Sequence, residues 1–279
     1  MVEENEKIAI CLPGVPYEVK PLINDKIIPY LRDKLSLNHI AARIISVVDF
    51  PESLLSVTIE EWELSLPANI ALSYLPVGNR IKLRLTAVGS DLQEIENQLN
   101  DEVEKLKPLS GEKVISWDGN EIQEILKEIL LQTKLTLSVA ESCTGGELSR
   151  LITSVSGSSG YFLGGIIPYD YHKKIEILGV SEQTILKKTV VSEEVAQEMS
   201  LGCQNLFKTD ISVSTTGVSG PNSDQFNNEI GTVFYSVRIK DYEKTNRLYL
   251  PHMERNDFAN FVSQRVLQDL VEILVREKA

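Results

Sequence analysis

The segment Val139-Ala140-Glu141-Ser142-Cys143-Thr144-Gly145-Gly146 brings two hydroxyls, a thiol and two glycines together at the end of an apolar run. The run reads as a buried strand and the residues after it as a helix, so the apex of the turn between them is exposed. Such a turn aims free backbone N–H groups outward, at the helix end that favours negative charge. A hydroxyl on Ser142 could attack a carbonyl there while the amides hold the developing oxyanion. Ser142 or Thr144 could equally serve only to cap the helix. Cys143 is the stronger nucleophile by chemistry, and a helix N-terminus lowers a thiol pKa. Its alternative is a small, buried packing residue.

A serine nucleophile needs a base. His39 falls at the start of the unit over residues 38–117, His172 just beyond Tyr169, and His252 after Pro251. No acidic spacing marks any of them as a triad member. Lysine replaces histidine when burial depresses its pKa. Pro168-Tyr169-Asp170-Tyr171-His172-Lys173-Lys174 supplies lysine and tyrosine together, or else a solvated helix start. Two further glycine turns stand nearby: Ser156-Gly157-Ser158-Ser159-Gly160, and Thr215-Thr216-Gly217-Val218-Ser219-Gly220-Pro221. Each permits close backbone approach to a ligand, and three such turns favour a shared polar pocket.

These turns need a scaffold. The 279 residues correspond to about two domains. Hydrophobic residues at 42% and charged residues at 24% describe an ordinary globular chain and exclude a disordered one. The net charge of −12 is spread along the chain, −7 over residues 1–118 and −5 over 119–279. Bulk attraction to a phosphate backbone is therefore missing, and nucleic acid is a poor partner. No apolar run is long enough to predict a spanning helix, and no membrane partner is expected. Cys11, Cys143 and Cys203 form neither a metal motif nor a disulfide framework, which fits a reducing cytoplasm.

Ile8–Leu12 reads as a buried strand and Glu18–Lys34 as a helix, too little to bury a core alone. Residues 38–117 read as an α+β unit. Its strands are Ala41–Val48, Ile70–Leu75 and Ile81–Thr86, with helices after Pro51 and after Asp91, the second broken by Pro108 and Gly111. Residues 119–279 alternate helix and strand, which predicts an α/β layered domain. The expected helices are Glu121–Gln132, Gly145–Ser154, Tyr171–Leu178, Glu193–Phe207 and Asn256–Arg276. The expected strands are Leu135–Ala140, Leu163–Tyr169, Ile211–Thr216, Thr232–Arg238 and Arg247–Leu250.

The stretch Ala140–Gly146 resembles the signature of the CinA C-terminal family, the nicotinamide-nucleotide amidases also called PncC. The similarity continues through Gly157-Ser158-Ser159, Tyr161-Phe162, Leu178-Gly179-Val180, Val191-Ser192-Glu193, Thr216–Pro221 and Gly231-Thr232-Val233. Upstream, Leu12-Pro13-Gly14-Val15-Pro16 is similar to the end of that family's N-terminal molybdopterin-binding-like domain. The resemblance implies an α/β layered C-terminal amidase domain over 118–279. It implies a smaller α+β KH-like domain over 38–117, and over 1–37 a remnant strand and helix. It implies hydrolysis of the carboxamide of nicotinamide mononucleotide to nicotinate mononucleotide and ammonia, with no cofactor and no metal. The partner would be a small-molecule pyridine nucleotide, and the protein a cytoplasmic homodimer. Ser142 would be the nucleophile, with Lys174 and Tyr169 assisting. Thr144, Gly145 and Gly146 would form the oxyanion hole. Ser158, Ser159, Thr216, Gly217, Gly220 and Arg255 would line the substrate site.

The sequence departs from the family pattern at three places. Tyr171 replaces an asparagine. Asn222–Glu229 replaces a loop rich in glycine and proline, with Asn228 at its usual lysine. Pro251–Arg255 replaces a Gly-Asp-Arg segment, leaving Arg255 as the cation available to face a phosphate. The alternative these departures carry is a catalytically weakened nucleotide-binding or scaffold protein. RNA binding through Val77-Gly78-Asn79-Arg80 is a further reading, and this loop lacks the G-x-x-G clamp.

Overall fold

A computed structural model describes residues 2–4, 7–35, 38–48, 50–77, 80–110 and 113–276. At the N-terminus, β1 (Val2–Glu4) and β2 (Lys7–Ala9) pair antiparallel. The expected strand to Leu12 thus stops at Ala9. A helical run follows, α1 (Pro16–Leu22), a π turn over Ile23–Ile27 and α2 (Ile28–Lys34). Pro16 opens this run, where no amide donor is needed; Pro21 and Pro29 lie inside it and each lack an amide donor, and a widened turn between them accommodates that loss. No core residue comes from this segment among those described.

The next unit runs β3 (His39–Val48), α3 (Glu52–Leu64), β4 (Ile70–Val77), β5 (Arg80–Gly89), α4 (Leu92–Ser110) and β6 (Val114–Ser116). Its four strands lie in the order β4-β5-β3-β6, all neighbours antiparallel. This is the split βαβ arrangement, an α+β sheet with both helices on one face. Alternation decides that face. Ile81, Leu83, Leu85 and Ala87 of β5 are buried against Leu55 and Ile59 of α3 and Leu99 and Leu106 of α4. Pro108 sits inside α4 rather than ending it, because a proline in the last turn removes only one intrahelical bond. The short strand β6 carries no clear period and was not expected. Gly78 and Asn79, the centre of the suspected RNA-binding loop, lie outside the described residues.

The remaining elements are α5 (Ile122–Thr133), β7 (Leu137–Ala140), α6 (Glu147–Thr153), β8 (Phe162–Ile166), α7 (Tyr171–Leu178), α8 (Glu182–Lys188), α9 (Glu193–Phe207), β9 (Ile211–Gly217), β10 (Thr232–Ile239), β11 (Tyr242–Tyr249) and α10 (Arg255–Arg276). The sheet order is β11-β10-β9-β7-β8, with β8, β7 and β9 parallel and β10 and β11 antiparallel at one edge. One face carries Leu137, Val139, Val213 and Val237 and packs on α5, α6 and α10. The opposite face is lined with small hydroxyl residues and packs on α9. There Ser212 Oγ donates to Ser200 O at 2.7 Å and Ser214 Oγ to Ala196 O at 2.5 Å. Serine is small enough to let α9 approach the sheet, and the helix backbone satisfies its hydroxyl. The helix α8, with the single buried apolar residue Ile185, is too short to show a helical period in the sequence.

The two sheets meet at α5. Glu121 caps this helix, exchanging hydrogen bonds with Glu124 in a capping box. Its carboxylate also accepts from Arg80 Nη2 at 3.1 Å and pairs with Lys82, both on β5. The same Arg80 nitrogen reaches Gln264 Oε1 of α10 at 3.3 Å.

Candidate functional site

Three parallel strands end on the same side of the sheet, and ligands of open α/β sheets bind outside such carboxyl ends. Residues following β7, β8 and β9 here surround a cleft of about 440 Å³. Ser142 and Cys143 come from the first, Tyr169, Asp170, Tyr171 and Lys174 from the second, and Thr216 to Phe226 from the third. Arg255, at the start of α10, closes one side.

The turn after β7 is held from both ends. Gly145 and Gly146 have φ of 61° and 101°, left-handed values that glycine adopts without strain. Glu141 is fully buried and accepts four hydrogen bonds, from Gly146 N, Leu148 N, Ser149 N and Ser149 Oγ, at 2.6–3.1 Å. A carboxylate at the N-terminus of α6 thus satisfies amides that the helix leaves unpaired. On the neighbouring strand, Thr215 Oγ1 accepts from Ser142 N at 3.4 Å and shares a hydrogen bond with Thr144 Oγ1 at 2.8 Å.

Lys174 lies on α7 with only 1% of its surface exposed. Its Nζ donates to Ser142 Oγ at 2.8 Å and to Pro168 O at 2.7 Å. No carboxylate is within bonding reach of it among the described residues. Burial therefore dominates and drives its pKa down from 10.5 to about 8. A substantial fraction is then neutral near physiological pH, and a neutral amine can accept the Ser142 proton. Cys143 responds to burial the other way: its thiol is pushed up to about 12, so it stays protonated and weakly nucleophilic. Of the two neighbours in the turn, Ser142 is the one hydrogen-bonded to Lys174.

The other expected site residues fall into two groups. Thr216, Gly217, Gly220 and Arg255 line the cleft. The Thr216 hydroxyl is bonded to Val190 O at 2.7 Å, which ties the third turn to the segment before α9. Arg255 donates through Nη2 to Gly220 O at 2.7 Å and through Nη1 to the Tyr169 hydroxyl at 3.1 Å. A cation at a helix N-terminus is disfavoured by the dipole, so these two contacts hold Arg255 there. Tyr169 is 60% exposed. Among the described residues Arg255 is the hydrogen-bond partner of its hydroxyl, and neither Ser142 nor Lys174 is bonded to it. Tyr169 thus forms the outer lip of the cleft.

Two expectations need correction. Gly145 N donates to Ser142 O at 3.1 Å and Gly146 N to Glu141, while the Thr144 hydroxyl is committed to Thr215. The two glycine amides shape the turn and do not face the cleft as oxyanion donors. Ser158 and Ser159 lie in a 3-10 turn before β8, at the amino end of that strand and so across the sheet from the cleft. Their spacing in the sequence gives no hint of this, because a parallel strand separates them from Tyr169. The histidines do not enter the site: His172 pairs with Asp170 at 3.0 Å on the exposed start of α7.

Two residues were not singled out from the sequence. Glu141 carried a signal, an acidic residue just before a helix start. Thr215 carried none, since only the β7–β9 pairing brings it to the turn. The altered 222–229 loop is internally braced. Asp224 accepts from Phe226 N, Asn228 N and Asn228 Nδ2 at 2.7–3.1 Å, and Thr189 Oγ1 donates to Asn228 Oδ1 at 2.7 Å. Phe226 meets the Tyr171 ring edge-on at 5.5 Å.

The CinA C-terminal domain family matches residues 119–274. A CinA-like protein of Flavobacterium psychrophilum is 42% identical over 237 residues, 85% of this chain and 57% of that protein. The chain belongs to the CinA family. A CinA-like protein of Amoebophilus asiaticus is 33% identical over 98% of this chain and 64% of its own length. The chain thus spans about three fifths of the length of these curated relatives. Among solved structures, the competence or damage-inducible protein of Enterobacter asburiae superposes with a TM-score of 0.53 and 27% identity. It covers 56% of this chain and 99% of its own. The CinA superfamily protein of Escherichia coli gives the same TM-score and identity over 55% and 88%. In this CinA chain the matched residues include β7, the turn that carries Ser142, α7 with Lys174, and Arg255.

Proposed function

We propose that residues 118–279 form an amidohydrolase that converts the carboxamide of nicotinamide mononucleotide to the carboxylate and ammonia. The observation that carries this reading is the buried Lys174 Nζ at 2.8 Å from Ser142 Oγ, inside a cleft. Neutral Lys174 takes the Ser142 proton as the Oγ–carbon bond forms and the carbonyl electron pair moves to oxygen. The resulting ammonium is buried beside the reacting centre and offsets the negative charge there, where low dielectric strengthens the attraction. It then returns the proton to the leaving nitrogen, the carbon–nitrogen bond breaks and ammonia departs. Water, deprotonated by the same amine, attacks the acyl carbon; the carbon–Oγ bond breaks, the ammonium returns its proton to Ser142 Oγ, and the carboxylate departs. Arg255 is the cation at the cleft wall suited to a single phosphate, held in place by Gly220 O and the Tyr169 hydroxyl.

The purified chain is expected to release ammonia from nicotinamide mononucleotide, followed by a coupled glutamate dehydrogenase assay. Nucleotide binding by calorimetry without ammonia release would overturn the assignment and leave a nucleotide-binding protein.

A further inference from the structure

We infer that Glu141 is a positioning residue for Ser142, an inference that rests on the proposed reading of Ser142 as the nucleophile. Three features converge on this side chain. First, the carboxylate is fully buried, and among the described residues all four of its hydrogen bonds come from neutral donors of the turn and of α6. A buried carboxylate needs such donors and these amides need an acceptor, so it and the turn fix each other. Second, its backbone ties the same residue to the opposite wall of the site. Glu141 N donates to Ile166 O at 2.8 Å, and two residues later Pro168 O accepts from Lys174 Nζ. Glu141 therefore links the segment that carries the nucleophile to the segment that anchors the base. Third, the support is built in from β8. A Cβ on Gly165 would stand 2.7 Å from Ser149 Oγ, and that hydroxyl donates to Glu141 Oε1 at 2.6 Å. Glycine at 165 leaves the room that Ser149 needs to reach the carboxylate.

The reacting oxygen needs a fixed direction as well as a base, because small misplacements cost rate steeply. In Glu141→Gln one carboxylate oxygen becomes an NH₂ that faces amide donors, so the turn must rotate to relieve the clash. Ser142 then loses its line to Lys174 although neither residue is changed.

The test reads Ser142 directly, without relying on any substrate. A fluorophosphonate probe labels an activated serine, with release of fluoride, and peptide mass spectrometry locates the adduct. Glu141→Gln is expected to lower the plateau labelling rate by at least about tenfold, while the pH midpoint set by Lys174 stays within about 0.3 units. Ser149→Ala, which removes one of four donors and keeps the charge, is expected to slow labelling by about threefold. Labelling of Glu141→Gln within about twofold of wild type would overturn the inference. So would losses in both variants that track the unfolded fraction measured by circular dichroism. Wild type that takes the label at Ser142 but releases no ammonia from the nucleotide would overturn the proposed substrate alone. Wild type that takes no label at Ser142 would overturn both.

Discussion

Ser142→Ala is expected to lower kcat for carboxamide hydrolysis by at least about 10³-fold, with KM changed by less than about threefold. The split follows from geometry. The Ser142 oxygen makes the new bond, so its loss removes a covalent route. Ser142 lines the inner end of the cleft, and most of the remaining wall, Thr216 to Phe226 and Arg255, is left unchanged by the substitution. Cys143→Ala is the matched control in the adjacent position. Its thiol is held protonated by burial, so the variant is expected to retain kcat within about threefold. Steady-state ammonia release separates these outcomes. Equal rates for Ser142→Ala and wild type would assign the chemistry elsewhere. Combining Ser142→Ala with Lys174→Met is expected to be no worse than either alone, because the two side chains act as one unit.

Lys174→Met is expected to abolish most activity and to stabilise the fold. On the activity side, loss of the base lowers kcat by about 10²–10⁴-fold. For wild type, kcat/KM is expected to rise with pH through about 8, because the neutral amine is the active form and burial sets its pKa there. Lys174→Arg, which stays charged at every accessible pH, removes that rise. On the stability side, the folded pKa lies below the unfolded value of 10.5. Between about 8 and 10.5 the unfolded chain binds more protons than the folded one, so stability rises with pH across that window. Below about 8 both states are protonated and the burial penalty is present in full. Methionine of similar length removes the penalty but leaves Pro168 O without its donor. The net gain at pH 7 is expected to be about 1–2 kcal/mol. Urea unfolding at pH 7 and pH 9.5 reads both effects: the variant is more stable at pH 7, and its lead over wild type shrinks at pH 9.5. A variant less stable than wild type at pH 7 would mean that Lys174 is not held against a burial penalty.

How far the sequence could be read depended on whether a signal was local. Apolar periodicity located α9 over Glu193–Phe207 and β9 from Ile211 within a residue, since both bury one continuous face. It missed α8 and β6, whose seven and three residues are too short to show a period. The nucleophile turn was legible because a buried strand, two glycines and a helix start follow each other directly. The pairing of Ser142 with Lys174, 32 residues apart, came from family resemblance, because no spacing rule connects the ends of neighbouring parallel strands. The misassignment of Ser158 and Ser159 has the same origin. Hydroxyl-rich glycine turns look alike at either end of a strand, and only the chain direction through β8 separates them from the cleft. Gly145 and Gly146 lie in the turn that the sequence indicates, but the partners of their amides are not legible there. Their amides are taken by Ser142 O and by a buried carboxylate whose partners lie up to eight residues away.

The proposed reaction requires a covalent bond at one atom, Ser142 Oγ. Wild type mixed with nicotinamide mononucleotide, quenched in acid within the first turnover and digested, gives peptides that can be weighed. The result expected is a nicotinoyl-mononucleotide adduct on the peptide containing Ser142, localised by fragmentation to that serine and missing in Lys174→Met. Ammonia release with no adduct on Ser142, or with the adduct on Cys143, would contradict it.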